Sequence, residues 1–201
     1  MKKILLVVMC GLLVLGFTGC KKEEVKQSDN KQEEKKEGYN EVREDSKSLV
    51  LYFSATGTTE NVAKTISDAT DSDIVEIVPK DKYTSDDLNY SKDDTRANRE
   101  MQDVNARPEI ENEIDIAKYE TIYIGYPIWW GTNPRIILTL LDNVNFDGKN
   151  VLLFCTSGSS GIEQSVKELK EYNSKINFLG GKRFTSSVTK DEINAWVKDL
   201  K

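Results

Sequence analysis

At 201 residues the chain has room for one ordinary domain with extensions. Its 28 Lys and Arg stand against 34 Asp and Glu, and the net charge of -6 excludes a surface built to neutralise nucleic-acid phosphates. Histidine is absent, which removes the commonest general base and a common Zn²⁺ ligand together, so no metal site is expected. Of the three cysteines, Cys10 and Cys20 lie at the N-terminus, leaving Cys155 alone in the body with no partner for an intramolecular disulfide.

Lys2 and Lys3 precede an apolar run from Ile4 to Leu15, too short to span and persist in a bilayer. The segment ends Gly16-Phe17-Thr18-Gly19-Cys20 and resembles a bacterial lipoprotein signal, in which Cys20 is lipidated and becomes the mature N-terminus. The alternative is an ordinary secretory signal, but no small-x-small site ends the apolar run. Acyl chains, at ~0.8 kcal/mol per buried CH₂, would hold such a protein on the outer face of the cytoplasmic membrane. Residues 21–46 are dominated by Lys, Glu, Gln, Asp, Ser and Asn, and read as a disordered, solvated linker with a mean span on the order of 30 Å.

From residue 47 to 201 strand-like and helix-like patterns alternate. Ser48 to Phe53 is a nearly continuous apolar run, as in a strand covered on both faces. Val62, Ala63, Ile66 and Ala69 then recur at helical spacing. Asp73 to Val78 reads as a short strand stopped by Pro79, and Thr121 to Tyr126 as a third. Asn133-Pro134 supplies an N-cap and a proline at N1 for a helix through Leu141. Val151 to Cys155 is a fourth strand, followed by a helix with Ile162, Val166 and Leu169 on its apolar face. A fifth strand is read over Ile176 to Leu179, with Phe184 as the limit of a longer alternative. Thr189-Lys190-Asp191-Glu192 is a capping box launching the stripe Ile193, Trp196, Val197 and Leu200. Such alternation predicts a doubly wound α/β fold, a parallel sheet between two helical layers. The acidic stretch Lys80 to Lys118 is too long for a simple connection and reads as a weakly packed helix with flanking loops that partly covers a ligand.

Ligands of open parallel sheets sit beyond the carboxyl ends of the strands, and three strand ends here carry unusual loops. Ser54-Ala55-Thr56-Gly57-Thr58-Thr59 places hydroxyls and free amides at a helix start, where they either cap the helix or bind a phosphate without a lysine. No Gly-Lys-Ser/Thr ends this loop, which excludes a Walker site. Tyr126-Pro127-Ile128-Trp129-Trp130-Gly131-Thr132 sets two tryptophans side by side: either both tuck under the insertion as core, or at least one lines a flat aromatic ligand. Thr156-Ser157-Gly158-Ser159-Ser160-Gly161 permits close backbone approach and offers hydroxyls to ring carbonyls and nitrogens.

These loops, with Glu60-Asn61 after the first, the Pro-Ile-Trp-Trp-Gly-Thr-Asn-Pro run, the Thr-Ser-Gly-Ser run, and Tyr83, Arg96 and Arg107-Pro108 in the insertion, resemble the flavodoxin family. The resemblance implies a five-stranded sheet of order 2-1-3-4-5 with FMN at its carboxyl edge. By that likeness Ser54, Thr56, Gly57, Thr58 and Thr59 would bind the FMN phosphate. Pro127, Ile128, Trp129, Trp130 and Gly131 would lie against one side of the isoalloxazine, and Ser157, Gly158 and Ser159 would approach the other. The third loop lacks the tyrosine that often stacks on the ring in electron carriers.

The leading expectation is therefore an FMN-binding electron-transfer protein that exchanges electrons with a redox partner protein or a quinone-like acceptor. An FMN-dependent NAD(P)H:quinone or related reductase is the first alternative, and a surface scaffold that has lost FMN the second. The five intact phosphate-loop positions speak against loss. A phosphatase on the same topology would need Cys-x5-Arg, and Gly161 stands where that arginine belongs, so Cys155 reads as a small buried hydrophobe.

Overall fold

The computed structural model describes residues 40–43 and 45–199. The expected signal segment with Cys20, and the linker up to residue 39, lie outside them. Elements follow in the order β1 (Asn40–Glu41), β2 (Ser48–Tyr52), α1 (Thr58–Thr70), β3 (Asp73–Glu76), α2 (Arg96–Gln102), β4 (Thr121–Pro127), α3 (Arg135–Asn143), β5 (Asn150–Thr156), α4 (Glu163–Tyr172), β6 (Asn177–Phe184) and α5 (Lys190–Lys198).

The sheet runs β1-β3-β2-β4-β5-β6. Its five parallel strands stand in the expected order 2-1-3-4-5, and β1 adds an antiparallel sixth beside β3, pairing Asn40 with Val75 and Glu41 with Ile74. The described residues thus include a short strand at Asn40–Glu41, within the 21–46 stretch read as linker. The signal in the sequence is faint because β1 is only two residues long and is fixed mainly by Arg43, just beyond its end. The Arg43 N–H donates to Asp73 Oδ1 at 2.6 Å, and its guanidinium reaches Ser67 Oγ at 3.0 Å and the Ser72 carbonyl. These groups lie at the C-terminal end of α1, where the helix dipole favours a cation.

Strand alternation divides the core between two layers. Leu49, Leu51 and Phe53 of the first parallel strand and its extension face α2, α3 and α4, packing with Met101, Ile136, Ile137, Leu140 and Leu169. Val50 and Tyr52 face α1 and α5, packing with Val62, Ala63, Ile66, Ile193 and Trp196. The central strands β2, β4 and β5 are buried on both faces, which is why the sequence shows apolar runs there where a one-sided sheet would alternate. Gly125 is the tight point of the sheet: a Cβ there would lie 2.0 Å from the ring of Phe154, its register partner on β5.

Two element boundaries differ from the sequence reading. β3 stops at Glu76 because the insertion captures the next peptide groups: Val78 N–H donates to Asn112 Oδ1 at 2.9 Å, and the Val78 carbonyl accepts from Glu111 N–H at 2.8 Å. Helix α3 starts one residue late, with Pro134 as N-cap at ψ 147, because the Asn133 side chain is drawn into a buried cluster. There its Oδ1 accepts from the hydroxyls of Thr132 and Ser165, each at 3.2 Å. The capping box at the start of α5 is formed as expected, with Thr189 Oγ1 and Glu192 each accepting from the other's backbone N–H. On the far side, the β5–β6 ladder is interrupted by a register shift near Val151 and Leu152, opposite Gly180.

Candidate functional site

A cleft of about 500 Å³ opens beyond the carboxyl ends of β2, β4, β5 and β6, within the usual size for a cofactor site. All three loops singled out in the sequence converge on it. Ser54, Thr56, Thr58 and Thr59 line it from the first, Pro127, Ile128 and Trp129 from the second, and Ser157 and Gly158 from the third. Gly57, Trp130, Gly131 and Ser159 belong to the same loops without forming its wall. Among the described residues no charged side chain lines it.

The first loop is shaped by Gly57, which caps α1 with φ 85, a conformation costly for any residue with a Cβ. Its N–H donates to Ser54 Oγ at 3.1 Å, leaving the Ser54 hydroxyl proton free to point into the cleft. The first intrahelical donor is Asn61, whose N–H reaches the Gly57 carbonyl at 3.2 Å. The amides of Thr58, Thr59 and Glu60 are therefore the orphan donors of the helix start, aimed along the positive end of its dipole. Thr59 Oγ1 lies 2.8 Å from Thr156 Oγ1, both buried, so one of those two protons is spent between them and one remains for a ligand.

The second loop is a tight reversal. Trp129 N–H donates to the Thr132 carbonyl at 2.9 Å and Thr132 N–H to the Trp129 carbonyl at 3.0 Å, with Trp130 at φ 47 and Gly131 at φ 85 between them. Two successive left-handed residues make a type I′ turn. The turn separates the tryptophans. Trp129 goes inward, edge-on to Phe53 and Tyr83 at 5.6 and 5.1 Å, and is core as well as cleft wall. Trp130 stays 44% exposed at the rim.

Two groups of cleft residues were not named as site residues in the sequence reading. Leu88 and Tyr90 reach it from the insertion, and Phe184, Thr185 and Ser186 from the end of β6. Tyr90 is 63% exposed and packs on Trp130 with ring centroids 4.9 Å apart. The insertion thus brings an aromatic side chain to the cleft. An exposed aromatic in an otherwise polar stretch was the available signal. Arg96 and Arg107 lie elsewhere: Arg96 covers the Tyr83 ring at 4.1 Å and pairs with Glu100 at 2.7 Å, while Arg107 ties Asp142 to Tyr172. Burial and the hydrogen bond to Glu100 hold the Tyr83 phenol well above its ordinary value, so it remains a neutral donor. Cys155, at the end of β5, is fully buried, and burial pushes its thiol up to about 12.

The described residues contain no group of three or more Cys, Asp or Glu placed to hold a metal ion, and no helix among them is long and apolar enough to cross a membrane. A flavodoxin family model matches residues 47–200. The chain belongs to the flavodoxin family. No curated protein matches this flavodoxin by sequence. Among solved structures it is similar to two proposed flavoproteins. That from Bacteroides eggerthii is 38% identical over 78% of this chain and 98% of its own, with a TM-score of 0.75. That from Bacteroides uniformis is 42% identical over 76% and 98%, with a TM-score of 0.73. A flavoprotein from Lactobacillus acidophilus in complex with FMN is 29% identical over 76% of this flavodoxin and 99% of its own chain, with a TM-score of 0.61.

Proposed function

We propose that this flavodoxin is an FMN-binding electron-transfer protein, held at the outer face of the cytoplasmic membrane by lipid on Cys20. The cofactor is FMN. What carries it is a hydroxyl-rich cleft without a charged lining, set at the start of α1 and walled by Trp129. Such a site suits a phosphate gripped by amides and an uncharged planar ring, and the Lactobacillus relative is seen with that cofactor.

The orphan amides of Thr58 and Thr59 and the hydroxyls of Ser54, Thr56 and Thr58 would hold the phosphate. Pro127, Ile128 and Trp129 would support one side of the ring, and Ser157 to Ser159 the other. Bound FMN supplies the electron chemistry; the chain positions it and leaves the rim at Trp130 and Tyr90 open. No carboxylate or lysine lines the cleft to move a proton for a second substrate, which favours electron transfer to a redox partner or quinone-like acceptor. The open rim favours, as a second reading, an FMN-dependent NAD(P)H:quinone or related reductase.

Purified protein should be yellow and should release flavin absorbance on heating; a colourless chain that takes up no FMN at micromolar concentration defeats the assignment. Steady oxidation of NADPH or NADH with a quinone, without a partner protein, would move the activity to the second reading. Partition into detergent, lost in Cys20→Ala, tests the anchor.

A further inference from the structure

Helix α1 crosses the sheet obliquely, and its tilt decides which strand ends stand beside its first turn. Near its carboxyl end Ser67 Oγ donates to the Ser72 carbonyl at 2.7 Å, next to the start of β3. At its amino end Thr59 meets Thr156, the last residue of β5. That strand lies two places along the sheet from β2, which the first loop leaves. Thr156 is in turn in register with Phe184, the last residue of β6. The start of α1 therefore stands beside a fourth loop, the one that leaves β6. Phe184, Thr185 and Ser186 line the same cleft as Thr56, Thr58 and Thr59.

This fourth loop is fixed by contacts that leave one hydroxyl unspent. Phe184 is buried and lies edge-on to Trp196 of α5, with ring centroids 5.3 Å apart. Val188 N–H donates to the Thr185 carbonyl at 3.2 Å and closes a turn over 185–188. The Thr185 and Ser187 hydroxyls lie 3.2 Å apart and satisfy one another. Ser186, the second residue of the turn, is exposed, and its hydroxyl bonds to none of the described residues. A phosphate monoester carries three terminal oxygens, all strong acceptors. With no charged side chain among the described lining residues, neutral donors must meet them, so each hydroxyl counts. We infer that Ser186 is a further phosphate-binding residue, donating from the β6 side of the cleft and favouring a phosphorylated flavin over riboflavin. The inference rests on the FMN reading of the cleft.

The test compares FMN with riboflavin, which lacks only the phosphate, by flavin-fluorescence titration of the full chain stripped of flavin. Ser186→Ala should weaken FMN binding about fivefold, as for one lost hydrogen bond to a charged group, and leave riboflavin within about twofold. Ser186→Asp, which sets a carboxylate against the phosphate, should weaken FMN at least about thirtyfold and again spare riboflavin. Ser187→Asp places the same charge one residue on, outside the cleft wall, where solvent screens it, and should change FMN binding no more than about threefold. The melting temperature of the stripped protein should hardly move in any of the three, since both positions are exposed. If Ser186→Asp binds FMN as tightly as the unaltered chain, or weakens both flavins equally, the inference is overturned and the cofactor assignment stands. An unaltered chain that binds the two flavins equally overturns it as well. Uptake of neither flavin by the unaltered chain removes the cofactor assignment and the inference with it.

Discussion

The hydroxyls of Thr59 and Thr156, 2.8 Å apart and buried, join the first turn of α1 to the end of β5. They couple the end of the cleft proposed to bind the phosphate to the loop proposed to lie beneath the ring. Thr59→Val should leave the Thr156 hydroxyl without its partner, costing about 1–2 kcal/mol of stability and weakening FMN binding about tenfold. Urea unfolding and flavin-fluorescence titration measure the two effects. Thr156→Val should do likewise, and the double variant should cost less than the two singles added; strict additivity would show that the pair is not coupled.

Trp130 carries a bulky side chain at φ 47, where the left-handed conformation costs a residue with a Cβ about 1–2 kcal/mol. Trp130→Gly should therefore raise the melting temperature of the flavin-free protein while weakening FMN binding, because the rim loses its indole. Stability and affinity moving in opposite directions is the signature. Loss of both would mean that the indole supports the fold and that the left-handed turn stores no strain.

Gly125 has no room for a methyl group, since its Cβ would enter the ring of Phe154. Gly125→Ala should destabilise the domain by about 1–3 kcal/mol, with much of the loss restored by adding Phe154→Leu. Calorimetry of the single and double variants checks this, and no recovery in the double variant would place the constraint in the backbone.

Asp73 is fully buried. Burial pushes its carboxyl upward, but hydrogen bonds from Tyr119 and the Arg43 amide, with Lys118 beside it, outweigh that and hold it below the ordinary carboxylate value of 3.8. A folded-state value below the unfolded one means that the unfolded chain binds the proton more readily. The stability so contributed is present above about pH 4 and is lost as pH falls through the folded value. Tyr119→Phe should shrink this acid-sensitive part and Asp73→Asn abolish it, at a cost in stability near neutrality. An unfolding free energy with the same slope below pH 4 in Asp73→Asn would remove Asp73 from the account.

The parallel sheet was legible because strands buried on both faces leave unbroken apolar runs, and because the capping box before Ile193 marks a helix start; the strand order came only from the family resemblance. The three loops were legible because glycine, hydroxyls and paired tryptophans at strand ends are costly unless they do something. What escaped was set by tertiary partners. Tyr90 becomes part of the rim only because the insertion folds back over the second loop. Thr59 and Thr156 are 97 positions apart, and nothing local in either pairs them. Asn133 has the look of a helix cap, yet a serine on α4 and its own neighbour Thr132 claim its side chain. β1 offers two polar residues with no periodicity, and its placement depends on Arg43 finding the end of α1.

The two borders of the sheet are therefore guarded by different means. At β6 the slipped register beside Gly180, with Lys182 and Arg183 along the strand, makes the open border a poor template for another strand. β3 has no such defence of its own, being short and regular, and relies on the chain's own Asn40 and Glu41 to occupy its hydrogen-bonding groups. A protein trimmed to residue 47, where the family match begins, would keep every residue of the cleft and yet bare a border open to self-association. Its tendency to oligomerise would then report on the missing strand rather than on the flavin site.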